Sequence, residues 1–384
     1  MVKKVLISAG EASGDLHAAN LVKKLIEIDS SVEVMAMGGD NLRDAGADVI
    51  IDCAELAVVG VVEVLINYRK IKRALDKLSE VVINQKPDLL ILVDYQEFNM
   101  KLAQTAKKNG VKVLFYIGPQ VWAWRPHRVH KMREKIDMMA VLFPFEVAFY
   151  ENANVPVKFV GNPLVDEVKA NTDKLSLINQ YQLSPELKTV GLLPGSRKSE
   201  IKRILPIQLE SARQLKQKHP QLQFVLAVAS TLSKSEIEQQ CQQYSELDIK
   251  FIRDLPYNVM SVCDAIITAS GTATLETGLM EIPLAITYRI SPLSYAILRR
   301  MMTIDKVGLV NIVAEKMIVK EFIQQDAVPE KIAGEISEIL ENDDYRENMI
   351  NELKQVKQKL GIQGGSKIVA ELAYQMLTNN EHVT

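Results

Sequence analysis

The chain has 384 residues and a formal net charge of −2; 47% of its residues are hydrophobic and 24% are charged. This composition excludes a disordered chain, the charge gives no reason to expect a nucleic-acid partner, and the length favours two domains. The three cysteines show no Cys-x-x-Cys spacing, so we expect buried thiols in a reducing compartment. Without a signal-like start or an apolar run of roughly 20 residues, the sequence predicts a protein in the cytoplasm or on a membrane surface.

Apolar, strand-like segments alternate with helical patterns along the first half of the chain. Strands are predicted at residues 5–8, 32–37, 89–93, 113–116, 138–142 and 157–160. Helices are predicted between them, as at residues 18–28, 71–85 and 100–109. Short strands separated by helices of this length are typical of a parallel sheet with right-handed crossovers.

The second half repeats this scheme, with strands predicted at residues 190–193, 223–228, 249–251, 265–268 and 284–287. The simplest architecture is an α/β protein with two doubly wound, Rossmann-like domains that face each other across a cleft. We assign residues 1–165 to the N-terminal domain, 166–187 to a linker and 188–360 to the C-terminal domain. Residues 361–384 form a helix with an apolar stripe, which we expect to dock on the first domain or on a partner subunit.

A glycine turn connects the first predicted strand to the first helix. Gly10 and Gly14 allow a ligand to approach the backbone closely, and Ser13 and Gly14 are candidates for substrate binding. The turn also carries Glu11 and Asp15, whose carboxylates would repel phosphate. This combination favours a hydroxyl-rich substrate or proton transfer, while a tight strand–helix connection without a site is the alternative.

Two loops of the second half have the features of an anion site. Residues 194–197 form a Pro-Gly-Ser-Arg turn, in which Ser196 and Arg197 are candidates for a diphosphate. Residues 269–276 begin a helix whose small and hydroxyl side chains leave its N–H groups open to an anion. The candidates there are Ser270, Gly271, Thr272, Ala273 and Thr274, with Glu276 suited to a ribose diol. An ordinary N-capped helix is the alternative.

Five segments, taken in order, resemble the lipid-A-disaccharide synthase family: residues 8–17, 118–125, 193–197, 270–276 and 311–314. The resemblance implies a GT-B glycosyltransferase fold with a membrane-facing acceptor domain first and a UDP-sugar domain second. It implies an inverting transfer without metal or cofactor, from UDP-2,3-diacylglucosamine to 2,3-diacylglucosamine 1-phosphate, in lipid A and lipopolysaccharide biosynthesis. It also implies substrate contacts by Trp122, Arg125 and Asn311, and a peripheral location on the inner face of the inner membrane.

The general base is predicted in residues 93–99, which match a family segment that usually reads Asp-x-Pro-Asp-Phe-Asn. Asp94 matches this pattern, whereas Gln96 replaces the proline and Glu97 replaces the second aspartate. We prefer Glu97 slightly, because it takes the place of that aspartate, and keep Glu11 and Asp15 as alternatives. Asp94 as a cap of the following helix is the non-catalytic interpretation.

Two further segments suggest contacts with lipid or sugar. Trp122 and Trp124 would face one side of an extended segment, although bare tryptophans are more typical of a core or an interface. Residues 58–66 form an apolar patch followed by a basic cluster at residues 69–77, the pattern of an anchor on an anionic membrane surface. A buried strand or helix is the alternative for this patch.

Three other functions are alternatives to this glycosyltransferase. One is another UDP-GlcNAc-dependent protein of the same fold, such as a peptidoglycan glycosyltransferase or a 2-epimerase. A second is a dinucleotide-dependent oxidoreductase, which would need a Gly-x-Gly-x-x-Gly motif that residues 10–14 do not supply. A third is a non-catalytic nucleotide-sugar sensor, if the altered residues 96–97 have lost the base.

Overall fold

The computed structural model describes residues 2–55, 61–119, 121–124, 126–301, 305–361 and 364–378. The chain divides into two compact units. The first unit contains Met1–Pro163 and Gly361–Thr384, and the second contains Leu164–Leu360. The second unit is therefore inserted into the sequence of the first. No helix within these described ranges is long and apolar enough to cross a bilayer.

The described residues of the first unit form a parallel sheet of seven strands in the order β3-β2-β1-β4-β5-β6-β7. The strands are β1 Lys4–Ala9, β2 Glu33–Gly38, β3 Asp48–Asp52, β4 Leu89–Val93, β5 Lys112–Tyr116, β6 Met138–Val141 and β7 Val157–Phe159. Every residue of β4 is fully buried, as expected for a central parallel strand covered on both faces. The strand order reverses between β1 and β4, so the loops that follow these two strands diverge at their carboxyl ends.

Helices cover both faces of this sheet. Their bounds are α1 Ala12–Ile28, α2 Asp40–Asp44, α3 Val61–Gln85, α4 Gln96–Lys108, α5 Val121–Trp124 and α6 Pro144–Glu151, with a 3-10 turn at Cys53–Glu55 and another at Pro126–Lys131. Alternate strand residues serve two cores: Val5 and Ile7 pack with residues of α1, whereas Leu6 packs with residues of α3 and α4.

The last helix of the described chain, Gly365–Thr378, belongs to the first unit. It packs along α1, and Leu372, Ala373 and Met376 lie in one apolar cluster with Leu21 and Leu25 of α1. The Lys112 ammonium donates to the Met376 carbonyl at 2.9 Å, close to the carboxyl end of this helix. The apolar stripe seen in the sequence is thus covered by the first unit's own core.

The described residues of the second unit form a six-stranded parallel sheet in the order β10-β9-β8-β11-β12-β13. The strands are β8 Thr189–Leu193, β9 Gln223–Ala227, β10 Lys250–Ile252, β11 Ala265–Ala269, β12 Leu284–Tyr288 and β13 Glu321–Ile323. The order reverses between β8 and β11, which repeats the arrangement of the first unit. Both units are therefore doubly wound α/β folds.

Helices also flank the sheet of the second unit. Its helices are α7 Leu164–Glu167, α8 Lys174–Gln180, α9 Lys198–Lys218, α10 Lys234–Cys241, α11 Pro256–Ser261, α12 Thr272–Leu279, α13 Pro292–Met301, α14 Leu309–Ala314, α15 Pro329–Glu341 and α16 Asp343–Lys359, with 3-10 turns at Gln242–Leu247 and Gln324–Asp326; Gly365–Thr378 is α17. Helices α9 and α15 pack against each other, and α12 packs against α14 and α16.

Three sequence-based expectations differ from the structure. The edge strands β3 and β13 were not predicted, because they are short and carry acidic residues. The stretch 166–187, expected as a linker, lies in the second unit, where the Tyr181 hydroxyl donates to Asp254 Oδ2 at 2.6 Å. The extended segment expected at the two tryptophans is wrong, because Val121–Trp124 forms a short helix.

Candidate functional site

Two loops of the first unit follow the neighbouring strands β1 and β4, at the position where the strand order reverses. Gly10 and Glu11 follow β1, and Asp94 and Tyr95 follow β4. A side chain on Gly10 would place its Cβ 2.3 Å from the Tyr95 ring, so only glycine leaves room for this ring. The structure therefore brings the predicted Glu11 and Asp94 into one cluster, and it adds Tyr95, which the sequence did not single out.

Burial and neighbouring charge raise the pKa values of the acidic groups in this cluster. Burial raises the pKa of Asp94, opposed by a hydrogen bond from the Tyr95 backbone. Burial also raises the pKa of Glu11, and the charge of Asp94 raises it further. Burial raises the pKa of Tyr95 as well, with a contribution from Glu11. A carboxylate with a raised pKa holds a proton more tightly, which is the property of a general base that works near neutral pH.

The backbone of Asp94 and Tyr95 is held in an uncommon conformation. Their φ angles are 50° and 43°, in the left-handed region that costs a non-glycine residue free energy. The buried Asn99 holds this turn: its amide donates to the carbonyls of Ser8 (3.3 Å), Val93 (3.2 Å) and Asp94 (2.7 Å). Its Oδ1 accepts from the Ser8 hydroxyl at 2.6 Å. Asn99 thereby ties the end of β1 to the Asp94 turn.

Glu97 and Asp15 have different surroundings. Glu97 has 71% of its side chain exposed and forms an ion pair with Arg128 at 2.5 Å, beside a shallow cavity of about 200 Å³. Asp15 is buried and accepts from the backbone N–H groups of Gly39 (2.6 Å) and Asn41 (3.1 Å), at the start of α2. Its carboxylate thus fixes the start of α2.

Of the neighbouring substrate candidates, Ser13 is exposed in the first turn of α1, whereas Gly14 is buried against Ala9 and Val93. Trp122 is also buried. Its ring nitrogen donates to Glu146 Oε1 at 3.1 Å, and its ring meets Phe145 edge to face at 4.8 Å between centroids. Trp122 is therefore a core residue rather than an open sugar platform.

The second unit has a cavity of about 640 Å³ at the carboxyl ends of β8, β9, β10 and β11. It lies where the strand order reverses, the usual position of ligands in doubly wound folds. Most of the residues predicted in the two loops line it: Ser196, Arg197, Ser270, Gly271, Thr272, Ala273 and Glu276. The structure thus brings both predicted loops to one cavity.

The Pro-Gly-Ser-Arg turn is closed by Glu200. Gly195 has a φ of 111° and would place a Cβ 2.4 Å from Glu200 Oε2. That oxygen accepts from the N–H groups of Ser196 (3.0 Å) and Arg197 (3.2 Å), while the Arg197 guanidinium donates to Glu200 Oε1 at 2.9 Å. Arg197 is 75% exposed, so its guanidinium is accessible to an anion at the cavity rim.

The start of α12 provides the other wall of this cavity. Gly271 is exposed at a φ of 146°, with open space where a Cβ would lie, and Thr272 beside it is exposed. The first N–H groups of an α-helix lack partners within the helix and favour an anion. Thr274 does not join them, because it is buried and its hydroxyl donates to the Gly271 carbonyl at 2.8 Å. The half-buried Ser270 donates to the Val307 carbonyl at 2.9 Å.

Glu276 lies one turn deeper in α12. Burial raises its pKa, and a hydrogen bond from the Tyr257 hydroxyl at 3.0 Å opposes this. Burial likewise raises the pKa of Glu167, to which the charges of Asp166 and Glu276 contribute. Tyr257 and Glu167 belong to other helices, and no sequence motif pointed to them. The carboxylate of Glu276 is an acceptor suited to hydroxyl groups.

The remaining predicted residues lie elsewhere or outside the described residues. Asn311 is fully buried, and its amide donates to the Val319 carbonyl and to Glu321 Oε1, both at 2.8 Å, so it fixes a turn of its own chain. Arg125, residues 56–60 and the side chains of residues 61–67 and Trp124 are outside the described residues. Of the apolar patch expected at residues 58–66, residues 61–66 begin α3, whereas residues 58–60 and all of the patch's side chains lie outside the described residues.

The sequence model of the lipid-A-disaccharide synthetase family matches residues 5–375. The chain belongs to this family. The lipid-A-disaccharide synthase of Geobacter sulfurreducens is 46% identical to it over 374 residues, which are 97% of each chain. That of Coxiella burnetii strain Dugway is 36% identical over 375 residues, covering 98% of this chain and 99% of the relative. Membership in the lipid-A-disaccharide synthase family makes the protein a glycosyltransferase of lipid A biosynthesis.

Solved structures show the same fold at low identity. The UDP-GlcNAc 2-epimerase of Neisseria meningitidis, bound to UDP-GlcNAc, superposes with a TM-score of 0.65 at 14% identity, covering 97% of this chain and 100% of the other. A glycosyltransferase from Rickettsia africae superposes with a TM-score of 0.62 at 13% identity, covering 99% of both. The chain thus has the predicted GT-B fold of two Rossmann-like domains.

The Asn99 contacts lead to a stability prediction for the first unit. Asn99→Ala removes three hydrogen bonds to carbonyls and the acceptor of the Ser8 hydroxyl, so we expect the free energy of unfolding to fall by about 2–4 kcal/mol. Urea unfolding followed by tryptophan fluorescence measures this, because both tryptophans of the chain, Trp122 and Trp124, lie in the first unit.

The matched control is Asn109→Ala at the end of the same helix, which removes a single hydrogen bond to the Thr105 carbonyl (2.8 Å). We expect the free energy of unfolding to fall by about 1 kcal/mol or less there. Equal destabilisation of the two variants would show that Asn99 does not hold the turn.

Proposed function

We propose that this protein transfers a sugar from UDP-2,3-diacylglucosamine to 2,3-diacylglucosamine 1-phosphate, giving the lipid A disaccharide 1-phosphate and UDP. The observation that carries the proposal is the family match over residues 5–375. Two further features support it: an open cavity with an anion-favouring helix start, and a separate pair of carboxylates with raised pKa values. An acceptor hydroxyl needs a base, and a departing diphosphate needs positive charge.

The cavity of the second unit is the proposed donor site. The Glu276 carboxylate accepts from the ribose hydroxyls, and the start of α12 at Gly271 and Thr272 faces the diphosphate. Arg197 exchanges its ion pair with Glu200 for a bidentate contact with the diphosphate, where negative charge grows as the bond to the sugar breaks. In this proposal the backbone N–H groups and Arg197 stabilise the leaving group without a metal ion.

The carboxylate pair of the first unit is the proposed site of proton removal. Asp94 is preferred over Glu97 as the base, because Asp94 is half-buried beside Glu11 whereas Glu97 is exposed and paired with Arg128. Asp94 takes the proton from the acceptor hydroxyl as that oxygen attacks the anomeric carbon of the donor. The displacement occurs in one step, so the configuration at this carbon is inverted.

The acyl chains of both substrates require a membrane surface. Exposed basic residues of α3 support contact with anionic lipid: Arg69, Lys70, Lys72 and Arg73. Tyr68, which precedes them, is 55% exposed. We propose that this end of α3 holds the protein on the cytoplasmic face of the inner membrane.

The direct test is mass spectrometry of the products after incubation with both acylated substrates, with and without EDTA. We expect disaccharide 1-phosphate and UDP in equal amounts, unchanged by the chelator. Absence of the disaccharide would refute the reaction. Loss of turnover with EDTA that Mg²⁺ restores would refute only the metal-free donor site.

The base assignment predicts a contrast between two isosteric variants. Asp94→Asn should lower kcat by about 10²–10⁴-fold at unchanged UDP affinity, because the proton acceptor is removed. Glu97→Gln, three residues along the same loop and helix, serves as the control and should keep kcat within a few-fold. A large loss of kcat in Glu97→Gln, with a near-normal kcat in Asp94→Asn, would identify Glu97 as the base.

The pKa shifts add a pH dependence to this prediction. Asp94 must be ionised to accept a proton, so kcat falls as the pH drops through its raised pKa, above the ordinary value of 3.8. Burial is the cause of this raised pKa. Glu11→Gln should therefore leave the acidic limb in place, and a limb that moves to lower pH would show that the charge of Glu11 also acts on the base.

The donor site predicts a second pH effect. Protonation of Glu276 weakens its acceptance of ribose hydroxyls, so UDP affinity falls as the pH drops through its raised pKa. Tyr257→Phe removes the hydrogen bond that lowers this pKa, so the weakening should begin at higher pH than in the unmodified protein. Calorimetry of UDP binding from pH 5 to 8 checks this. Tyr345→Phe, which removes a hydroxyl bonded to Glu335 instead, is the control and should leave the pH profile unchanged.

A further inference from the structure

The second unit has another, larger cavity of about 1030 Å³ that none of the predicted motifs line. It lies at the carboxyl ends of β12 and β13, between Arg289 and Gln324, with α13 along its side. In a parallel sheet the carboxyl ends of all strands lie on the same side, so this cavity and the donor cavity at β8–β11 lie on one side of the sheet. The two cavities are thus neighbours along the carboxyl ends of a single sheet.

Four arginines line this second cavity, which we call the arginine cavity. Arg203 comes from α9, Arg289 follows β12, and Arg299 and Arg300 lie in the last turn of α13. Cations at a helix carboxyl end interact favourably with the helix dipole. This accounts for the position of Arg299 and Arg300 but not for that of Arg203 or Arg289. Three separate elements therefore direct positive charge at one space.

None of these four arginines forms an ion pair within the described part of the chain. The described lining contains no acidic residue, and the bonds of Arg203 and Arg289 go to backbone carbonyls, of Ser199 (3.3 Å) and Gln324 (3.1 Å). Other arginines of the same unit are ion-paired, such as Arg213 with Glu210 and Arg346 with Asp343. Like charges around one cavity repel each other, so this arrangement becomes favourable when an anion is bound.

The walls between the arginines are apolar. Ile290, Pro292, Tyr295 and Ala296 contribute to the lining. The volume far exceeds that of a phosphate ion and lies in the range of sites for organic ligands. The cavity therefore suits a molecule that carries both a phosphate and an apolar group.

The arginine cavity adjoins the proposed diphosphate site. Tyr288 ends β12 next to Arg289, and its pKa is raised by burial and by the charge of Glu200, with Arg197 opposing. Tyr288 thus lies near the turn that closes the donor cavity. Arg203 follows Glu200 by one turn of α9. A ligand in the arginine cavity therefore binds close to the leaving diphosphate.

We propose that the arginine cavity binds the phosphate of an acylated sugar phosphate, which, if the proposed function holds, is the acceptor of the reaction. The guanidinium groups make bidentate contacts with the phosphate, and the apolar wall receives part of an acyl chain. The arginines would thereby distinguish a phosphorylated acceptor from a neutral glycolipid.

The test compares the double variant Arg299→Gln/Arg300→Gln with a control double variant, Arg213→Gln/Arg346→Gln. The first should raise the KM of the acylated sugar phosphate about 100-fold at unchanged UDP affinity, because removing each charge-assisted hydrogen bond weakens binding roughly tenfold. The control should leave KM within about twofold. Arg203→Gln, from another element, should raise KM about tenfold on its own.

Binding without turnover separates this inference from the proposed function. Decyl phosphate, titrated by calorimetry below its micellar concentration, should bind the unmodified and control proteins but not the arginine variants, while decyl glucoside binds none of them. This result supports the cavity even if no disaccharide forms. Equal decyl phosphate binding and equal KM in all variants would overturn it.

A membrane headgroup is the competing source of the phosphate. If the arginine variants no longer sediment with phosphatidylglycerol vesicles but keep the KM of detergent-dispersed acceptor, the cavity holds bulk lipid and the acceptor assignment is overturned. Unchanged vesicle sedimentation with a raised KM supports the acceptor.

Discussion

The geometry of both units depends on buried amides that bridge the two central strands where the strand order reverses. In the first unit Asn99 of α4 donates to Ser8 of β1 and Val93 of β4. In the second, the fully buried Gln208 of α9 donates to the carbonyls of Leu193 (3.3 Å) in β8 and Ile267 (3.0 Å) in β11. A buried carbonyl without a donor costs about 1–3 kcal/mol. Each amide therefore stabilises the place where the loops part and a ligand can enter.

The same constraint explains why chemistry and strain coincide in the first unit. The turn at Asp94 and Tyr95 departs from the strand direction in a left-handed conformation, which costs on the order of 1–3 kcal/mol for each such residue. Three hydrogen bonds from Asn99 and the packing of the Tyr95 ring against Gly10 offset this cost. The result is a carboxylate that is half-buried next to Glu11 at the carboxyl end of β4 rather than hydrated at a loop tip.

The sequence predicted the sheets well because central parallel strands are continuous apolar runs, as Leu89–Val93 shows. It did not reveal Asp48–Asp52 or Glu321–Ile323, which lie at sheet edges and lack such runs. Motif spacing located Arg197 and Glu276, because each follows its own strand within a few residues. It gave no sign of Tyr257 or of the four converging arginines, because these contacts form between elements distant in sequence. Nor could spacing show that Asp15 and Asn311 are hydrogen-bonded to the backbone of the chain itself. Asp15 accepts from a backbone N–H group, and Asn311 donates to a backbone carbonyl.

The insertion of the second unit into the first has a consequence for biosynthesis. Residues 164–360 are contiguous and can reach their native contacts as one stretch of nascent chain, since domains generally fold as units during translation. The first unit cannot do so, because the apolar side of α1 at Leu21 and Leu25 is covered by α17. That helix leaves the ribosome only after the whole inserted unit has been made. An apolar strip on α1 therefore stays uncovered for most of synthesis, a window in which a chaperone or a membrane surface would compete with the missing helix.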